Sequence, residues 1–206
     1  MHLWLVRHGH CGDSSPDSDL TVLGERQAQQ TATHLANVGV TAIVSSPLLR
    51  ALGTAGIIAD SLDLPIEVWP DVREGFSWLH RAASRDELLL RFPRALLPPG
   101  FAVGGWDHGN DTYESVFLRC QQTLLQLKER FGENDQIVVV THGGFANYLL
   151  HCILQIAPTT PQWFEMDYCA ISRVYFVPEH EREHWPLYPA VAAKILCVND
   201  CSHLTS

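Results

Sequence analysis

Lysine is nearly absent from this chain: only two of its 14 basic residues are Lys, and the other 12 are Arg. With 23 acidic residues, the formal net charge is −9. General nucleic-acid and membrane-surface binders carry a basic face, so neither partner is expected. A site for an anion has to be made locally, and by arginine. No run of about 18 or more apolar residues is present, which excludes a membrane-spanning helix. The start lacks the basic region, apolar run and small-residue cleavage site of a leader. A cytoplasmic protein is expected, with its six cysteines as thiols. Cys197, Cys201 and His203 lie close in sequence, but at no standard zinc spacing. Repeats and low-complexity tracts are also missing.

What is present is an ordinary globular composition, 46% hydrophobic and 18% charged. At 206 residues the chain suits one domain with a real core. Strands are expected at Leu3–Val6, Ala42–Val44, Ile66–Trp69, Gln136–Val140, Ala170–Val177 and Ala190–Val198. After Gln136, "QIVVV" is apolar throughout, as strands buried on both faces of a parallel sheet are. Helices are expected from Thr21 to a stop near Gly39, from a Ser46 cap with Pro47 at the first position, and over roughly 84–92. Two more are expected, from an Asp111/Glu114 capping box to about Arg130 and over 145–154. The alternation predicts a three-layer α/β/α sandwich with a mostly parallel sheet. Residues 75–110, rich in Gly, Pro and aromatics (Phe76, Trp78 and Trp106 among them), are expected to form an inserted cap or lid. Five arginines (Arg73, Arg81, Arg85, Arg91, Arg94) fall between 73 and 94, as a solvated face or as a rim for an acidic substrate.

In such folds ligands bind beyond the carboxyl ends of the strands. The first strand delivers Arg7, His8, Gly9 and His10 there. The second delivers Ser45-Ser46-Pro47 and then Arg50, the third Asp71, Arg73 and Glu74, and the fourth Thr141-His142-Gly143-Gly144. These types suit a phosphate ester. Arg7 and Arg50 can grip its oxygens, aided by free N–H groups at the helix starts. Gly143 and Gly144 let the backbone approach an anion closely. His8, kept neutral by nearby arginines, can act as nucleophile, and its protonation should shut off activity at acid pH. His142 can donate a hydrogen bond to the transferring group. Glu74 can protonate the leaving oxygen, with Asp71 as the fallback acid. His10 can line the pocket mouth or lie exposed, and His108 and His151 are expected to be structural.

"LVRHG", "LTVLGERQA" at 20–28, "SSPLLRA" at 45–51, "REG" at 73–75 and "VVTHGG" at 139–144 resemble, in order, the motifs of the histidine phosphatase superfamily, the phosphoglycerate mutase-like group. The resemblance implies that His8 is phosphorylated during turnover. It places Arg7, Arg50 and His142 in the phosphate pocket, makes Glu74 the proton donor, and calls for no metal or organic cofactor. Where the family commonly carries Thr and Asn after RHG, this chain has Cys11 and Ser14, and Ser14 is left as a weaker phosphate ligand. The activity implied is that of a histidine acid phosphatase-type phosphomonoesterase acting on a small phosphorylated metabolite. Mutase-type phosphoryl transfer and non-catalytic phospholigand binding are the alternatives.

Overall fold

The computed structural model describes residues 1–12, 17–75, 83–101, 110–183 and 189–205. The strands are β1 (His2–Arg7), β2 (Ala42–Ser45), β3 (Ile66–Val68), β4 (Ala95–Leu96), β5 (Gln136–Thr141), β6 (Ile171–Phe176) and β7 (Ala193–Asp200). They form one sheet in the order β4-β3-β2-β5-β1-β6-β7. The first five run parallel, and β6 is antiparallel to both β1 and β7. The expected α/β sandwich is therefore present, with an antiparallel margin on a parallel sheet.

Alternation within the central strands builds its two apolar layers. Trp4 and Val6 of β1, with Val138 and Val140 of β5, face α1 (Val22–Leu35) and α2 (Leu49–Leu62). Leu3, Leu5, Ile137 and Val139 point the other way, toward α4 (Tyr113–Arg130) and α5 (Gly143–Ile153). Burial on both faces explains why "QIVVV" has no polar face. Each such Leu, Ile or Val contributes roughly 1.5–3 kcal/mol of transfer free energy.

Within 75–110, α3 (Arg85–Arg91) is capped by Ser84, whose hydroxyl accepts from Glu87 N–H at 3.3 Å. Leu88, Ala95 and Phe101 join the α1/α2 layer, and β4 adds to the sheet edge beside β3. Residues 76–82 and 102–109, with Phe76, Trp78, Arg81, Trp106 and His108, lie outside the described residues. Arg73 pairs with Asp111 at 3.5 Å, Arg91 with Asp19, and Arg94 with Asp60 and Asp63 at 2.8 and 2.9 Å. These three arginines are engaged by the protein's own carboxylates.

Two expected helix starts move. α1 is capped by Thr21 as expected, but α2 begins at Leu49 rather than at Pro47. Ser46 Oγ is turned to His142, and the Leu49 N–H is capped instead by Asp17 Oδ1 at 2.7 Å. The α4 capping box is Thr112/Ser115, one residue beyond Asp111/Glu114. Asp111 is drawn away to two arginines.

Candidate active site

Parallel pairing puts the carboxyl ends of β1, β2 and β5 on one edge. His8 N–H donates to Thr141 O at 2.9 Å and Ser46 N–H to Val140 O at 3.1 Å, so the residues that follow these strands emerge side by side. His8 is 4% exposed and His142 fully buried, with ring centroids 5.0 Å apart.

His8 Nδ1 lies 2.8 Å from Gly9 O. A carbonyl only accepts, so Nδ1 carries the proton and Nε2 presents a lone pair. Arg50 Nε donates to that lone pair at 3.2 Å. Burial, and then the charges of Arg50 and Arg7, push the His8 pKa down to about 3. The imidazole is neutral, oriented and set beside cationic groups.

Arg7 is the last residue of β1. Its Nη1 donates to Met166 O, and its guanidinium covers the Tyr168 ring at 4.0 Å. Its Nε has no hydrogen-bond partner among the described residues. A Cβ at Gly143 would sit 3.6 Å from that Nε, in ordinary contact. Gly143 therefore borders Arg7, but Arg7 does not require glycine there.

Glu74 is half-buried at the start of α5. Its Oε1 accepts from Gly75 N–H at 2.9 Å and Phe145 N–H at 3.1 Å, and its Oε2 from Gly144 N–H at 3.4 Å. Burial raises its pKa, and these bonds together with the Arg50 charge partly offset the rise. A Cβ at Gly144 would come within 2.5 Å of Glu74 Oε1, so the carboxylate keeps this place only while position 144 is glycine. At the α5 start the Gly144 and Phe145 amides are held by Glu74, and the Leu49 amide of α2 is held by Asp17. Asp71, the fallback acid, is half-exposed and faces Arg73 at 3.9 Å.

His142 Nε2 and Ser46 Oγ are hydrogen-bonded at 2.8 Å. His10 Nδ1 is bonded to Thr21 Oγ1 at 2.8 Å, and its ring stands edge-on to Tyr168 at 5.2 Å. It ties β1's exit loop to the α1 cap. Ser14 lies outside the described residues. His151 is buried against Tyr148 and Phe164. His203 of the tail bonds Thr31 Oγ1 at 3.0 Å.

Sequence reasoning missed Asp17, which is 9% exposed and 3.9 Å from Arg50. Burial raises its pKa to about 6, with the Leu49 amide and Arg50 opposing. Tyr168 was missed too. Neither stands in a motif that marks its contact.

The sheet edge carries a buried histidine pair flanked by two arginines and a half-buried acid, the makings of an anion-handling α/β enzyme site. The model of the histidine phosphatase superfamily (branch 1) matches residues 3–185, and the chain belongs to that superfamily. It is 28% identical to a probable phosphoglycerate mutase, GpmB, of Proteus mirabilis, covering 100% of this chain and 95% of that one. A protein of the same name from Yersinia enterocolitica is 38% identical, with 84% of each chain covered. Among solved structures, phosphoserine phosphatase from Entamoeba histolytica in complex with 3-phosphoglyceric acid superposes with a TM-score of 0.68. It is 25% identical, with 99% of both chains covered.

Proposed function

We propose that this protein is a phosphomonoester hydrolase acting on a small phosphorylated metabolite through a phosphohistidine on His8. The observation that carries this reading is the tautomer of His8, with Nδ1–H held by Gly9 O and Nε2 facing Arg50. That is the state an in-line nucleophile needs. In the first step Nε2 attacks phosphorus, the bond from phosphorus to the ester oxygen breaks, and Glu74 gives its proton to the leaving alcohol. Arg7, Arg50 and His142 hold the charge on the equatorial oxygens. In the second step water attacks phosphorus and Glu74 takes the water's proton. The phosphorus–nitrogen bond breaks, releasing phosphate and restoring His8. Burial of Glu74 favours the protonated acid required by the first step. The nucleophile and the proton donor are both side chains, so the reading requires no cofactor.

A relative's solved complex holds 3-phosphoglyceric acid, and a relative from Escherichia coli, 26% identical, is named adenosylcobalamin/alpha-ribazole phosphatase. Both names support a small metabolite as substrate. Mutase-type transfer is the second reading, favoured by the names of the relatives from Proteus and Yersinia. A phosphate-release screen over a metabolite panel, with His8→Ala as control, tests the proposal. Release from at least one ester, lost in His8→Ala, is expected, with acid-labile phosphoenzyme trapped on the wild type. Full activity in His8→Ala would overturn the mechanism. Efficient isomerisation of 3-phosphoglycerate, primed by a bisphosphoglycerate and with little phosphate release, would select the mutase reading.

A further inference from the structure

The turn carrying Glu74 presents four successive carbonyls, at residues 71 to 74, and each meets a side-chain donor. Arg119 of α4 takes three. Its Nη1 donates to Asp71 O at 2.8 Å and Arg73 O at 3.1 Å, and its Nη2 makes a longer contact of 3.5 Å with Glu74 O. Thr141 Oγ1 donates to the fourth, Val72 O, at 2.5 Å. Buried carbonyls need partners, and here one guanidinium supplies most of them.

Arg119 is itself 6% exposed, and its charge is met by Asp111 Oδ2 at 2.7 Å. Asp111 is also held, by Ser115 Oγ at 3.1 Å and Arg73 Nη2 at 3.5 Å. The clamp is therefore fixed at both ends. It also reaches the other side of the acid. The Arg119 guanidinium lies 5.4 Å over the Phe145 ring, and Phe145 N–H is a donor to Glu74 Oε1. Main chain beneath Glu74 and helix start beside it are both tied to one residue.

We propose that Arg119 is a positioning residue for the proton donor: its fork of N–H groups sets the turn on which Glu74 meets the α5 start. The inference rests on Glu74 being the proton donor, as read above. A lysine keeps the charge but cannot bridge several carbonyls with a planar fork. Misplacement of a catalytic group by about 1 Å costs up to about a hundredfold.

Leaving-group dependence separates this role from a structural one. p-Nitrophenolate leaves with little need of a proton, whereas the alkoxide of benzyl phosphate needs one. Arg119→Lys should lower kcat/KM, which reports the step that expels the alcohol and not the water step both esters share, about tenfold to a hundredfold on benzyl phosphate and by less than about threefold on p-nitrophenyl phosphate. Glu74→Gln should show the same selectivity, and adding Arg119→Lys to it should slow benzyl phosphate no further. If Arg119→Lys does not fold, the isosteric Asp111→Asn, which loosens the same fork, should give the same selective pattern. Equal losses on both substrates, or full benzyl phosphate activity in a folded Arg119→Lys, would overturn the inference alone, provided Glu74→Gln is selective. If Glu74→Gln is not selective, or neither ester is hydrolysed, the reading of Glu74 fails and Arg119's role falls with it.

Discussion

Arg50 Nε donates a hydrogen bond to His8 Nε2 across 3.2 Å, so a cation rests on the nitrogen proposed to attack phosphorus. Burial, and then this charge, drive the His8 pKa to about 3, against about 6.5 for an unperturbed histidine. The acid limb expected for His8 therefore lies near pH 3, not near pH 6. A phosphate ester's own second ionisation falls near pH 6, so kinetics alone would blur the two. NMR of the His8 ring in the free protein is the cleaner measurement. No chemical-shift titration is expected between about pH 5 and 8, and Arg50→Gln should move the titration upward by removing the nearer charge. A His8 titrating near 6.5 in the wild type would contradict this account.

Asp17 and His8 pull the pH dependence of stability in opposite directions. The folded pKa of His8 is depressed, so its contribution is present above about 6.5 and is lost as pH falls toward 3. The folded pKa of Asp17 is raised from 3.8 to about 6, so its contribution is present below 3.8 and is lost as pH rises through 6. A shift of this size is worth at most about 3 kcal/mol. Asp17→Asn keeps an acceptor for Leu49 N–H and removes the titration. Urea unfolding of both proteins should show the wild type losing stability relative to Asp17→Asn between about pH 4 and 6. Parallel curves through that window would refute the Asp17 assignment.

Two glycines should respond differently to the same substitution. A Cβ at Gly24 would stand 2.0 Å from His10 O, a backbone atom fixed by Thr21 N–H at 3.0 Å. A Cβ at Gly144 would stand 2.5 Å from Glu74 Oε1, the end of a side chain that can move. Gly24→Ala should therefore cost about 1–3 kcal/mol by overpacking, read as a lower urea midpoint. Gly144→Ala should leave the midpoint nearly unchanged, because alanine also favours the helix. It should instead displace the acid and lower turnover of alkyl phosphates about a hundredfold. A stable, fully active Gly144→Ala would show that Glu74 is not needed where it stands.

The parts of the site legible in the sequence were those that leave a strand. Arg7, His8 and His142 directly follow apolar runs, and Arg50 sits in the first turn of the helix after β2. Burial on both faces of β1 and β5 was written in their unbroken apolar character. The parts that were not legible depend on contacts between residues far apart in sequence. Arg119 reaches carbonyls 45 to 48 residues away, and Asp17 caps an amide 32 residues on. Nothing local marks an arginine within a helix as a clamp. The same tertiary demands displaced the expected caps. Ser46 and Asp111 both have cap-forming side chains, but His142 takes the first and Arg119 the second.

Ser46 therefore gives a sharp test of how His142 is held. Both residues are fully buried, and the hydroxyl is bonded to His142 Nε2 at 2.8 Å while also accepting from Leu48 N–H at 3.3 Å. Ser46→Ala removes that partner from a fully buried imidazole. Leaving a buried polar group unmet costs about 1–3 kcal/mol, which should appear as a lower urea midpoint. The catalytic effect should fall on kcat more than on KM, because His142 is read as stabilising charge that develops in the transition state. Ser46→Thr keeps the hydroxyl and should restore much of kcat if its methyl is accommodated. If Ser46→Ala raises KM and leaves kcat intact, the Ser46–His142 pair serves ground-state binding, and the role read for His142 is wrong.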